Sequence, residues 1–134
     1  MAEWIAPIYD RTAADVAAGA EKCYFSGNAL NRIEGNIQYL ADLLGSSGVQ
    51  TRSWAATDFL RRSDMQRILD NLSAVRDAYY ALPGSPDIPA PPATLWSDVN
   101  AIEEVTWGIR ELWQRNHRSK LYAGEVFAGG IGVI

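Results

Sequence analysis

Residues 30–44 read Leu30-Asn31-Arg32-Ile33-Glu34-Gly35-Asn36-Ile37-Gln38-Tyr39-Leu40-Ala41-Asp42-Leu43-Leu44. Leu30, Ile33, Ile37, Leu40 and Leu44 recur at alternating spacings of three and four, which places them on one stripe of an α-helix. Asn31, Glu34, Gln38 and Asp42 fall on another side. With Asn28 as N-cap and Gly45-Ser46-Ser47-Gly48 as a stop, the pattern predicts a helix over about residues 29–44.

The same frame returns about 35 residues later as Met65, Ile68, Leu72, Val75 and Tyr79, behind a Ser63-Asp64 start. It returns again after Ser97-Asp98 as Val99, Ile102, Thr106, Ile109 and Trp113. Leu-Asn-Arg-Ile, Met-Gln-Arg-Ile and Val-Asn-Ala-Ile open the three stretches, and Asn36 and Asn71 match. Convergence of amphipathic helices on similar text and internal duplication both account for this. In either case three such stripes need one another for burial.

An earlier segment, from Thr12 to about Tyr24, also reads as helical, with Thr12 or Asp10 as cap and Asp15 near the positive end of the helix dipole. Its alanines leave little bulk, and Gly19 costs about 1 kcal/mol of helix propensity relative to alanine. Between the third and fourth helices, residues 82–92 hold five prolines, which forbid a regular helix and favour a stiff, extended crossover. Expected architecture: an all-α, four-helix bundle-like domain over residues 1–120, with that crossover and an extended C-terminal tail over 121–134.

A chain of 134 residues suits one domain, and 12 basic against 16 acidic residues give a net charge of −4, which disfavours a polyanionic partner. The N-terminal stretch lacks the pattern of a secretory signal, and no run approaches the roughly 20 apolar residues that span a bilayer. A soluble protein made in the cytoplasm is expected. Cys23 has no disulfide partner and reads as a small buried apolar residue.

Catalytic equipment is not found. The single histidine, His117, lacks the companions of a zinc site and reads as a solvent-facing residue among the cations near a helix C-terminus. Glu103-Glu104, Asp10 with Asp15, and Asp64 with Asp70 read as solvated faces or cap charges. Gly129-Gly130-Ile131-Gly132 resembles a phosphate loop only superficially. No cofactor, no metal and no enzymatic activity are expected.

Contact surfaces remain. Trp4, Trp54 and Trp96 precede helices, where an aromatic ring either plugs the end of a core or anchors a partner. Trp107 and Trp113 cannot share a narrow stripe, so one of them faces outward or touches another element. The tail carries Tyr122, Val126, Phe127, Ile131, Val133 and Ile134, too apolar for a frayed end, and is expected to lie on the bundle or on another subunit. Trp54, Trp107, Tyr122, Val126, Phe127 and Ile131 are the interface candidates.

Three stretches carry a resemblance to known proteins. They are Trp4 with residues 10–16 (Asp-Arg-Thr-Ala-Ala-Asp-Val), residues 30–37 with Tyr39-Leu40, and Trp96-Ser97-Asp98-Val99-Asn100-Ala101-Ile102-Glu103. Together they resemble a group of small bacteriophage and prophage structural proteins that accompany tail, baseplate or fibre genes in viruses of Gram-positive bacteria. The resemblance covers about residues 4–112, and the aromatic-Gly echoes of the tail are similar to the ends of some of those proteins. It departs where Leu69 replaces the glutamate of the motif and Ala101 its arginine. The resemblance implies contacts rather than chemistry, with self-association or other virion proteins as partners and a passage from host cytoplasm to virion; composition and charge add the expectation of no membrane contact and disfavour nucleic acid. Two other classes stay open, a cytoplasmic adaptor or regulator that holds a partner peptide in a helical groove, and a small-molecule binder lined by tryptophans.

Overall fold

The computed structural model describes residues 3–23, 26–93 and 95–126, with side chains described as far as residue 118. The fold is all-α, with four α-helices: α1 Ala13–Ala17, α2 Gly27–Leu44, α3 Arg62–Ala78 and α4 Trp96–Val126. Among the described residues there is no strand. The three long helices fall where the repeated frame predicts them.

Their boundaries follow local chemistry. α2 starts two residues earlier than expected, because Ser26 rather than Asn28 is the N-cap and its hydroxyl accepts from the Ala29 N–H at 3.1 Å. Asp64 accepts from the Arg61 N–H at 3.0 Å at the start of α3. The first helix is much shorter than the alanine-rich text suggests. A capping box between Thr12 and Asp15 starts it, but Gly19 adopts φ +69° and the chain continues as a 3-10 turn at Glu21–Cys23. α1 buries no side chain, so the core belongs to α2, α3 and α4.

α4 is 31 residues long and continues to Val126, past the expected boundary at residue 120. Residues 121–126 are therefore helical rather than extended. The rest of the tail, with Phe127 and Ile131, lies outside the described residues.

The three helices run parallel. Both connections, residues 45–61 and 79–95, are long enough to travel back to the start of the preceding helix. The first does so visibly: the Thr51 hydroxyl donates to Gln38, Trp54 meets Asn31, and Ala55 lies beside Gly27. The second leaves the end of α3, where Tyr79 accepts from Asn116 of α4. It passes Gly108 through a backbone bond from Leu82 and reaches Met65 with Pro92. Gly108 makes room for it, since a Cβ there would sit 2.6 Å from the Ser85 hydroxyl.

Equivalent frame positions are equally hidden. Leu30, Met65 and Val99 form one set of buried residues, Ile33, Ile68 and Ile102 a second, Ile37, Leu72 and Thr106 a third, and Leu40, Val75 and Ile109 a fourth. The repeat in the sequence is thus a threefold repeat in space, with one helix and one descending non-helical segment per unit.

Candidate functional site

The descending segments occupy the seams between helices, and asparagines hold them there. Asn36 of α2 accepts from the Ile5 N–H at 3.0 Å and donates to the Ile5 carbonyl at 2.7 Å. Asn71 of α3, at the same frame position, treats Gln50 identically, accepting at 3.4 Å and donating at 2.7 Å. A second pair of equivalents, Asn31 of α2 and Asn100 of α4, clamps Trp54 and Arg11 in the same two-handed way. The first segment is therefore pinned between α2 and α4, and the second between α3 and α2. A single amide satisfies both backbone groups of a non-helical residue, which matters most at Arg11 and Trp54, the two that are buried, whereas Ile5 and Gln50 are exposed.

The carboxylates extend the same rule. Glu103 of α4, only 1% exposed, receives Arg32 of α2 through Nε at 2.6 Å and Nη2 at 2.9 Å. It also receives Nη2 of Arg11 at 2.7 Å and the Ile8 N–H at 3.1 Å. Glu34, its counterpart on α2, receives Arg67 of α3 and the indole N–H of Trp54. The bond to Glu34 is the main reason that the Arg67 guanidinium holds its proton even more firmly than usual. Arg11 and Trp54 are thus equivalents, each clamped by the first asparagine of the frame and bonded to its glutamate.

By this cyclic rule the arginine of each unit reaches the glutamate of a neighbour: α3 to α2, and α2 to α4. The remaining pair would join position 101 of α4 to position 69 of α3. Those positions hold Ala101 and Leu69, so the two departures from the motif are one missing ion pair. Among the described residues the third seam also lacks the amide clamps, because Val105 stands where Asn36 and Asn71 stand, and Gln66 bonds instead to Asp70 at 2.9 Å.

Chemically, the buried carboxylates are occupied. All oxygens of Glu34 and Glu103 accept charge-assisted or indole hydrogen bonds, and neither side chain is exposed to solvent. They hold the helices in register. Among the described residues no group of three His, Cys, Asp or Glu side chains could hold a metal ion, and no helix is long and apolar enough to cross a membrane. His117 is exposed, with its ring stacked on Trp113 at 4.7 Å. Cys23 is partly buried.

The interface candidates divide. Trp54 is buried, and its indole closes the start of α2, the helix before it rather than the one it precedes, so it offers no surface to a partner. Trp107 is half-buried against Tyr9, with ring centroids 5.7 Å apart. Tyr122 and Val126 lie on the last turns of α4. Trp4, half-buried, rests on Tyr39 at 5.4 Å with the Arg110 guanidinium 4.8 Å from its ring.

Among the described residues, the three most exposed large apolar side chains come from positions that periodicity passed over. Phe59 is 84% exposed, Tyr80 75% and Leu95 65%. All three belong to the connections, and Tyr80 and Leu95 bracket the segment of the third seam. At the lower end of that seam a cleft of about 270 Å³ is lined by Leu60, Arg61, Arg62, Met65 and Pro92. Arg61 also lines the neighbouring depression that holds Phe59. No pattern in the sequence marks these residues, since Phe59 stands alone between Asp58 and Leu60. The role of Arg11 was equally hidden, whereas Asn100 could have been found from its match to Asn31.

No family model, curated protein or solved structure matches the chain.

Proposed function

We propose that this chain is a non-enzymatic structural or assembly module of a bacteriophage or prophage, acting through protein–protein contacts in a tail, baseplate or fibre. The observation that carries the reading is a division of labour among side chains. The buried polar residues Arg11, Glu34, Asn36, Asn71, Glu103 and Thr106 are all hydrogen-bonded within the fold, while Phe59, Tyr80 and Leu95 stand outside it. Such a domain ties these buried polar groups to one another and keeps apolar surface for neighbours. The motif of residues 30–37 and its two echoes supply the family resemblance.

Mass spectrometry of particles purified after prophage induction tests this. The chain is expected in the particle fraction at a fixed ratio to tail proteins, and in-frame deletion of its gene is expected to yield incomplete particles. Complete, infectious particles lacking it would refute the reading. One observation favours the adaptor alternative: a cleft of about 270 Å³ exposes Leu60, Met65 and Pro92, an apolar lining of the kind that receives a partner's side chains. Under that reading the bound protein would be a regulatory rather than a particle component.

A further inference from the structure

The third seam differs from the other two. Among the described residues it has neither the arginine–glutamate pair nor the amide clamps of the others, and its lower end carries the cleft lined by Leu60, Arg61, Arg62, Met65 and Pro92. We infer that this cleft receives the apolar segment around residues 126–134 of a second copy of the chain, so that copies join head to tail. The inference deepens the assembly reading and rests on it.

Reach excludes the chain's own segment. The cleft lies at the start of α3, level with the start of α4, because the helices are parallel and Pro92 lines it four residues before Trp96. α4 carries Val126 about 45 Å from Trp96 at 1.5 Å per residue. The eight residues beyond Val126 cover at most about 30 Å even if fully drawn out. They cannot return to the cleft of their own copy, whereas a copy stacked on the end of α4 presents its cleft directly.

Chemistry matches the two surfaces. Residues 126–134 hold Val126, Phe127, Ile131, Val133 and Ile134, a series that water disfavours, and the cleft offers Leu60, Met65 and Pro92. The only charged residue in 121–134 is Glu125, and the cleft is rimmed by Arg61 and Arg62. Groove and plug lie on different parts of the molecule, so the contact is heterologous and continues into a ring or a linear stack.

Complementation between two full-length variants tests this. Leu60→Ser with Arg62→Glu damages the cleft, since both side chains line it, and neither is fully buried. Phe127→Ser with Ile131→Ser damages only the plug. By analytical ultracentrifugation the unaltered chain is expected to form species heavier than 14.7 kDa as concentration rises, and each variant alone to remain monomeric. An equimolar mixture of the two is expected to form 1:1 dimers and nothing larger, because one intact cleft meets one intact plug. Circular dichroism checks that both variants keep their helices.

A plug variant that still self-associates would overturn the inference in favour of a contact between bodies. A mixture that stays monomeric, or an unaltered chain that is monomeric throughout, would overturn it outright. Neither result touches the particle-incorporation test, so failure here and failure of the assembly reading are separable.

Discussion

Two buried carboxylates with the same place in the frame differ in what they hold. Glu103 neutralises Arg11, 2% exposed, and Arg32, 13% exposed, whereas Arg67 beside Glu34 is 25% exposed. Removing one member of a buried pair leaves an uncompensated charge and costs about 3–5 kcal/mol; water that reaches the survivor lowers the cost. Glu103→Gln is therefore expected to destabilise by about 3–5 kcal/mol, and Glu34→Gln by about 1–3 kcal/mol, in urea unfolding. Equal losses would show that exposure of the arginine partner does not matter. Asn36→Ala strips Ile5 of both its backbone partners and is expected to cost about 1–3 kcal/mol. Asn31, Arg32, Glu34 and Asn36 stood out in the sequence as part of the motif of residues 30–37. Their partners lie 20 to 71 residues away, at Trp54, Glu103, Arg67 and Ile5, and nothing local encodes that.

At the scale of the element, the three helices and their buried stripes followed directly from the spacing of apolar residues, because burial on one face is what that spacing records. The first helix was overread, since alanine favours a helix but contributes nothing to bury, and one glycine with positive φ ended it. The ring of arginine–glutamate pairs makes a sharper statement about α3 and α4. Leu69 is buried and Ala101 half-buried, so Leu69→Glu alone places an unpaired charge in the core and is expected to cost more than about 3 kcal/mol. Ala101→Arg alone is expected to be nearly neutral, because an arginine can reach solvent along its own stem. In the double variant the new pair should recover about 1–3 kcal/mol as a coupling energy in a double-mutant cycle. A coupling near zero would mean that the third seam does not share the geometry of the other two.

For the whole molecule, the parallel course of the helices was not legible. Connections of this length permit either direction, and only the bonds across the seams decide between them. Those bonds also turn connections that would otherwise be loose into ordered parts of the fold. Amide hydrogen exchange should record the difference between seams. Helical amides in α2 and α3 exchange slowly in any bundle, so the informative sites are the isolated N–H groups outside helices. Ile5 and Arg11 in the first seam donate to Asn36 and Asn100, and Gln50 and Trp54 in the second to Asn71 and Asn31. Arg11 and Trp54 are buried, so their protection should approach that of the core helices, while the exposed Ile5 and Gln50 should be protected by their clamps to a lesser degree. In the third seam, beyond Leu82 and Ser85, which donate to the Gly108 and Leu82 carbonyls, no amide clamp is present among the described residues. Amides of residues 87, 88 and 90 should therefore exchange orders of magnitude faster than those of Arg11 and Trp54. Uniform protection along all three segments would show that apolar packing alone orders them, and the asparagines would then be reduced to satisfying hydrogen bonds.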